Sequence, residues 1–146
     1  MKNRSGLTLI EVMIAVMVFS FAITVFASLY PLAMRMRSKS ENVSRATAIA
    51  QKKIEQLRAL PYASLTYSGL LANSIVDSSP SASPYAFTSV DSLTSQLPEA
   101  AGTLTVSTPA TDLIRLDVTV TWGGLVTNGN TVTVSTMVAN KEVKTR

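Results

Sequence analysis

Glu11 is the one acidic side chain near the start of an otherwise apolar run, GLTLIEVMIAVMVFSFAITVF from Gly6. Two kinds of chemistry suit a carboxylate there. It can complete a capping box, Thr8-Leu9-Ile10-Glu11, in which the threonine hydroxyl and the glutamate carboxylate satisfy free N–H groups at a helix start, favoured by the helix dipole. It can instead meet a positive charge inside a membrane. A charged side chain at the centre of a span costs on the order of 2.5–3.5 kcal/mol, less near an end, so such a group normally faces a partner. Were the chain cut after Gly6, a new amine at Leu7 would lie at nearly the same depth as Glu11. Neighbouring copies staggered along an axis would then pair amine with carboxylate.

Little else in the chain suits covalent or metal chemistry. There is no cysteine and no histidine, which removes disulfides, thiolate sites and the commonest general base and zinc ligand. Serines are plentiful, but no G-x-S-x-G elbow accompanies them. Outside the long helix the acids are Asp77, Asp91, Asp112, Asp117, Glu99 and Glu142, and their spacing matches no calcium loop. No enzyme, cofactor or metal site is expected. The formal charge of +4 includes Lys2 and Arg4, so loss of a leader ending at Gly6 would reduce it. Arg35, Arg37 and Lys39 follow the apolar run as anchors at lipid headgroups. The further basic stripe of Arg45, Lys52, Lys53 and Arg58 lacks interleaved aromatics, and no nucleic-acid partner is expected.

The elements that must carry Glu11 follow from periodicity. From Val12 to Met34 no side chain is charged, and roughly 23 residues at 1.5 Å rise reach about 34 Å, enough to cross a hydrocarbon core. Beyond it Val43, Ala46, Ala50, Ile54 and Leu57 recur at helical steps, with Arg45, Lys52, Lys53, Glu55 and Arg58 mostly on other faces. A single helix from about Leu9 to Leu60 is predicted, kinked by Pro31 and ended by Pro61. Residues 61–102 show little period and read as a long surface loop with room for one short helix or strand. From Thr103 the period changes to two, and LTV, IRLDVTVTW and VTVSTMV read as antiparallel strands. Ile114, Leu116, Val118, Val120 and Trp122 share one face, and the amphipathic half of the helix is expected to cover it. Asn128-Gly129 signals a two-residue hairpin. If it pairs Leu125 with Val132, a bulge at Gly123-Gly124 must restore the facing of the valines.

RSGLTLIEVMIAVMVF resembles the leader, cleavage site and start of the mature helix of type IV pilins and type II secretion pseudopilins. It has the short basic leader ending in glycine, the glutamate five residues later and the unbroken apolar helix; Leu7 stands where phenylalanine is usual. The resemblance implies cleavage after Gly6 by prepilin peptidase, methylation of the new N-terminus at Leu7, and a role for Glu11 in assembly; Thr8 stays the helix cap that the capping-box pattern gives. It also implies an α+β, pilin-like fold: a long N-terminal helix, half membrane and half amphipathic, packed on a small C-terminal antiparallel sheet. The expected division is a leader at 1–6, an assembly helix at 7–34, its amphipathic continuation at 35–60, a loop region at 61–102 and the sheet at 103–146. QKKIEQLRALPY, VTVTW and VTVSTMV look most like V-type minor pilins and I-type minor pseudopilins. A major pilin fits less well, because its disulfide-closed loop needs cysteine. The implied function is a structural minor pilin, with prepilin peptidase, other pilin or pseudopilin subunits and inner-membrane lipid as partners. The implied location is the inner membrane, single-pass with a cytoplasmic N-terminus and an exported C-terminal domain, and afterwards a filament. The alternatives are a minor pseudopilin of type II secretion and a membrane-anchored exported domain that never assembles.

Overall fold

The structure, a computed structural model, describes residues 8–123 and 130–140. Two compact units divide the chain, Met1–Ser40 and Glu41–Arg146, and helix α1 (Leu9–Arg58) contributes to both.

In the first unit α1 runs through Pro31 without a break. Its large apolar side chains from Leu9 to Met36 are exposed, Leu9 at 82% and Phe26 at 73%. The hydroxyls set among them turn back onto the helix: Ser20 donates to the Val16 carbonyl (2.8 Å), Thr24 to that of Ser20 (2.9 Å) and Ser28 to that of Val25 (2.7 Å). Polar groups satisfied in this way need no water, which suits a helix surface bathed in hydrocarbon.

The second unit is built on a four-stranded antiparallel sheet ordered β1-β2-β3-β4: β1 (Tyr85–Ala86), β2 (Ala101–Ala110), β3 (Leu113–Trp122) and β4 (Asn130–Ala139). Together with the residues of α1 packed against it, this is the helix on a small antiparallel sheet that the periodicities imply, and the α+β, pilin-like arrangement that the resemblance implies. The central strand β3 buries Ile114, Leu116, Val118, Val120 and Trp122, and turns Arg115, Asp117, Thr119 and Thr121 the other way. Strict alternation is decisive here, because a slip of one residue would move five apolar side chains to water. Each such side chain contributes on the order of 1.5–3 kcal/mol when fully buried.

From α1 the core receives Ala46, Ala50, Lys53, Ile54 and Leu57. Two expectations are corrected on this helix. Val43, expected to be buried with that row, is 39% exposed, whereas Lys53, read as belonging to the polar faces, is 1% exposed. The steps 46, 50, 53 and 57 alternate four and three, so Lys53 sits in the middle of the buried row.

Residues 61–102 do not form a surface loop. They hold a 3-10 turn (Tyr62–Ser64), α2 (Tyr67–Ala72), β1 and α3 (Leu93–Gln96), and they bury Leu65, Leu70, Ile75, Val76, Phe87, Leu93, Leu97 and Ala100. This segment therefore shares with α1 the covering of the sheet, a task assigned from sequence to the helix alone. Asp77 organises it: its carboxylate accepts the N–H groups of Ser89 (3.1 Å) and Val90 (2.8 Å), while its own N–H donates to the Ala86 carbonyl (2.7 Å). Gly102 lets the segment approach the sheet, since a Cβ there would lie 2.5 Å from Phe87 Cε2 and 2.6 Å from Leu93 Cδ1.

The register of β3 and β4 also differs from expectation. The ladder is unbroken from Leu113 opposite Ala139 to Trp122 opposite Asn130, and Val132 faces Val120 rather than Leu125. The valines of β4 face those of β3 throughout this ladder, and no bulge interrupts it. Gly123 leaves β3 at φ +84° and donates its N–H to the Pro98 carbonyl (2.9 Å). Gly124, Leu125 and the Asn128-Gly129 turn lie outside the described residues.

Candidate processing and assembly site

The N-terminal site is assembled by the first turn of α1. Thr8 precedes the helix, and the Glu11 carboxylate reaches back to accept the Thr8 N–H at 3.3 Å. The Glu11 and Val12 N–H groups donate to the Thr8 carbonyl at 3.1 and 3.3 Å. Geometry thus contains the carboxylate half of a capping box, while the Glu11 N–H uses the Thr8 carbonyl instead of its hydroxyl. A carboxylate at this end also meets the positive pole of the helix dipole. Gly6 and Leu7, the residues expected to be cut apart and methylated, lie outside the described residues.

Beside and beyond Glu11 the surface is apolar: Ile10, Val12, Met13 and Ile14 are 67, 49, 65 and 58% exposed. An apolar surface of this extent belongs against lipid or another protein. By length and composition α1 contains a stretch able to cross a membrane, near the N-terminus.

Of the acids weighed for calcium, Asp77, Asp91, Asp112 and Asp117 are each engaged locally, Asp77 in the bonds given above. Asp91 pairs with Lys53, and Asp112, at φ 62°, accepts the Asn140 N–H through its carbonyl. Asp117 accepts from the Ser135 hydroxyl and from Arg115 Nε (3.0 Å), and these bonds, the serine's first, hold its carboxyl below the usual aspartate range. Among the described residues no group of three or more acids is placed to hold a metal ion. Of the basic stripe, Arg45 and Lys52 line an open groove of about 490 Å³ with Ala48, Ile49, Ser95 and Gln96. No aromatic ring lines it for base stacking.

Sequence reasoning missed Lys53. Its ammonium donates to the Ile75 carbonyl (3.0 Å), contacts Asp91 Oδ2 (2.7 Å) and lies 4.9 Å from the centre of the Phe87 ring. All three partners come from the segment read as loop. The signal was present in the spacing of Ala46, Ala50, Lys53 and Leu57.

With this geometry in place, residues 1–27 match the family model of the prokaryotic N-terminal methylation motif. The chain has the N-terminus of a type IV pilin-like or pseudopilin precursor. The match takes in the basic leader, Gly6, Leu7, Thr8, Glu11 and the apolar helix as far as Ala27. No curated protein and no solved structure matches the chain. A pilin-type N-terminus implies processing by prepilin peptidase and assembly with pilin subunits, and it points to a structural subunit rather than an enzyme. The motif and the exposed apolar surface of α1 fit a chain anchored in the inner membrane and later taken into a filament.

Proposed function

We propose that the chain is a structural minor pilin of a type IV pilus-like filament. Prepilin peptidase cuts between Gly6 and Leu7 and Leu7 is N-methylated. Before assembly the protein crosses the inner membrane once, with its N-terminus cytoplasmic and residues beyond the span exported. Assembly then proceeds through α1: the apolar faces pack together as they leave lipid, and the Glu11 carboxylate pairs with the Leu7 amine of a neighbouring subunit. Thr8 holds Glu11 at the helix start.

The observation that carries this reading is the coincidence of the methylation motif at residues 1–27 with an exposed apolar helix bearing one carboxylate in its first turn. Intact mass and N-terminal sequencing of the chain from membranes, with and without prepilin peptidase, tests it. The expected result is a peptidase-dependent start at methylated Leu7. A chain that begins at Met1 in both cells would overturn it. Recovery of the processed chain in sheared surface fibres separates a pilus subunit from a periplasmic pseudopilin.

A further inference from the structure

The two edges of the sheet are unequally protected. On the outer side of β2, β1 pairs with Thr103 and Leu104, the Ser83 hydroxyl accepts the Val106 N–H (3.2 Å), and Pro109 has no N–H to offer. Along β4 no described strand pairs with the outer side, and its ten residues include neither proline nor a charged side chain. Burial is incomplete there as well. Val118 and Val120 of β3 are fully buried, whereas Val132, Val134 and Val138, on the same face of β4, are only half-buried.

Beside β4 an open cleft of about 560 Å³ is lined by Arg58, Arg115, Ser135, Thr136 and Met137. Asp117 offsets the charge of Arg115. Arg58 has no acidic partner among the described residues, so the cleft is left positive. Met137 is 58% exposed.

We propose that β4 is a docking edge for an extended, acidic segment of a partner protein. The segment adds a fifth strand, covers the half-buried valines and places a carboxylate in the cleft of Arg58 and Arg115. Backbone hydrogen bonds supply most of the affinity, and the cleft selects the sign of the charge. A second copy paired through the same strand fits less well, because β4 carries no acid to fill its neighbour's cleft. This surface belongs to the second unit, and its use does not depend on the processing or packing of the N-terminal helix.

The test uses the full chain in detergent micelles and two fluorescein-labelled, end-capped peptides, GTVEVEVTG and its lysine twin GTVKVKVTG, with binding read by anisotropy. The acidic peptide is expected to bind about tenfold more tightly than its twin, and Arg58→Gln is expected to bring the ratio close to one while leaving thermal unfolding unchanged. Thr133→Pro and Val134→Pro form an internal control. N–H groups of successive residues point to opposite sides of a strand, so one substitution breaks the ladder with β3 and the other blocks only the open edge. The variant that retains its fold should lose both peptides. Absence of binding, equal binding of the two peptides, or an unchanged ratio in Arg58→Gln would overturn the proposal. So would self-association that requires β4 without peptide binding, which would make the occupant a second copy.

Discussion

The Glu11→Gln protein is expected to be cleaved and inserted like the parent chain yet excluded from filaments. Glutamine keeps an oxygen where the carboxylate now accepts the Thr8 N–H at 3.3 Å, so the helix start is preserved and only the charge is removed. If Glu11 meets the Leu7 amine of a neighbour in an apolar setting, losing one partner leaves a buried cation uncompensated, at about 3–5 kcal/mol per contact. That is a loss of about two orders of magnitude or more in subunit incorporation. The readout is the ratio of chain in sheared filaments to chain in membranes, with N-terminal sequencing to verify processing. Normal incorporation would refute charge pairing and leave Glu11 as a helix cap alone.

The second large effect is expected in the core. Asp91→Ala would leave the Lys53 ammonium, 1% exposed, with only the Ile75 carbonyl and the Phe87 ring. Removing one member of a buried pair costs about 3–5 kcal/mol, and a value near the lower end is expected because the Asp91 side chain is itself 19% exposed. Lys53→Met should cost less, on the order of 1–2 kcal/mol, since methionine fills the space of the lysine stem and the remaining carboxylate can reach water. Both are measured by denaturant unfolding of the full chain in micelles, followed by the fluorescence of its single tryptophan. Trp122 lies 2% exposed in the core of the second unit and reports on that unit. If Lys53→Met proves the more damaging of the two, stem packing rather than the ion pair joins α1 to residues 75–91.

What the sequence discloses, and what it conceals, follows from periodicity. The five alternating apolar residues of β3 can only be a half-buried strand, and the run from Val12 to Met34 can only be an apolar helix surface, so both were legible. Glu11 was legible because a lone carboxylate in such a run demands a reason. Residues 61–102 were not: Leu65, Leu70, Phe87, Leu93 and Leu97 follow neither a two-residue nor a 3.6-residue rhythm, and their burial depends on contacts distant in sequence. Lys53 was concealed by its type, since charge argues for a solvated face until a partner such as Asp91 is located. Hairpin register failed for another reason. Asn128-Gly129 is a sound local signal, but the valines of β4 must face those of β3, and the tertiary demand set the ladder.

Adjacent lysines in α1 have been given opposite chemical availability. Lys52 opens onto the groove beside α3, whereas the amine of Lys53 is closed off by Asp91, Ile75 and Phe87. An acylating reagent should therefore mark Lys52 rapidly and reach Lys53 only when the helix parts from the segment beneath it, as peptide mass mapping of the labelled chain would record. Equal labelling of the two in folded protein would mean that this contact opens readily. In a filament, the pattern would tell an intact subunit from one whose second unit has come undone, without removing it from its neighbours.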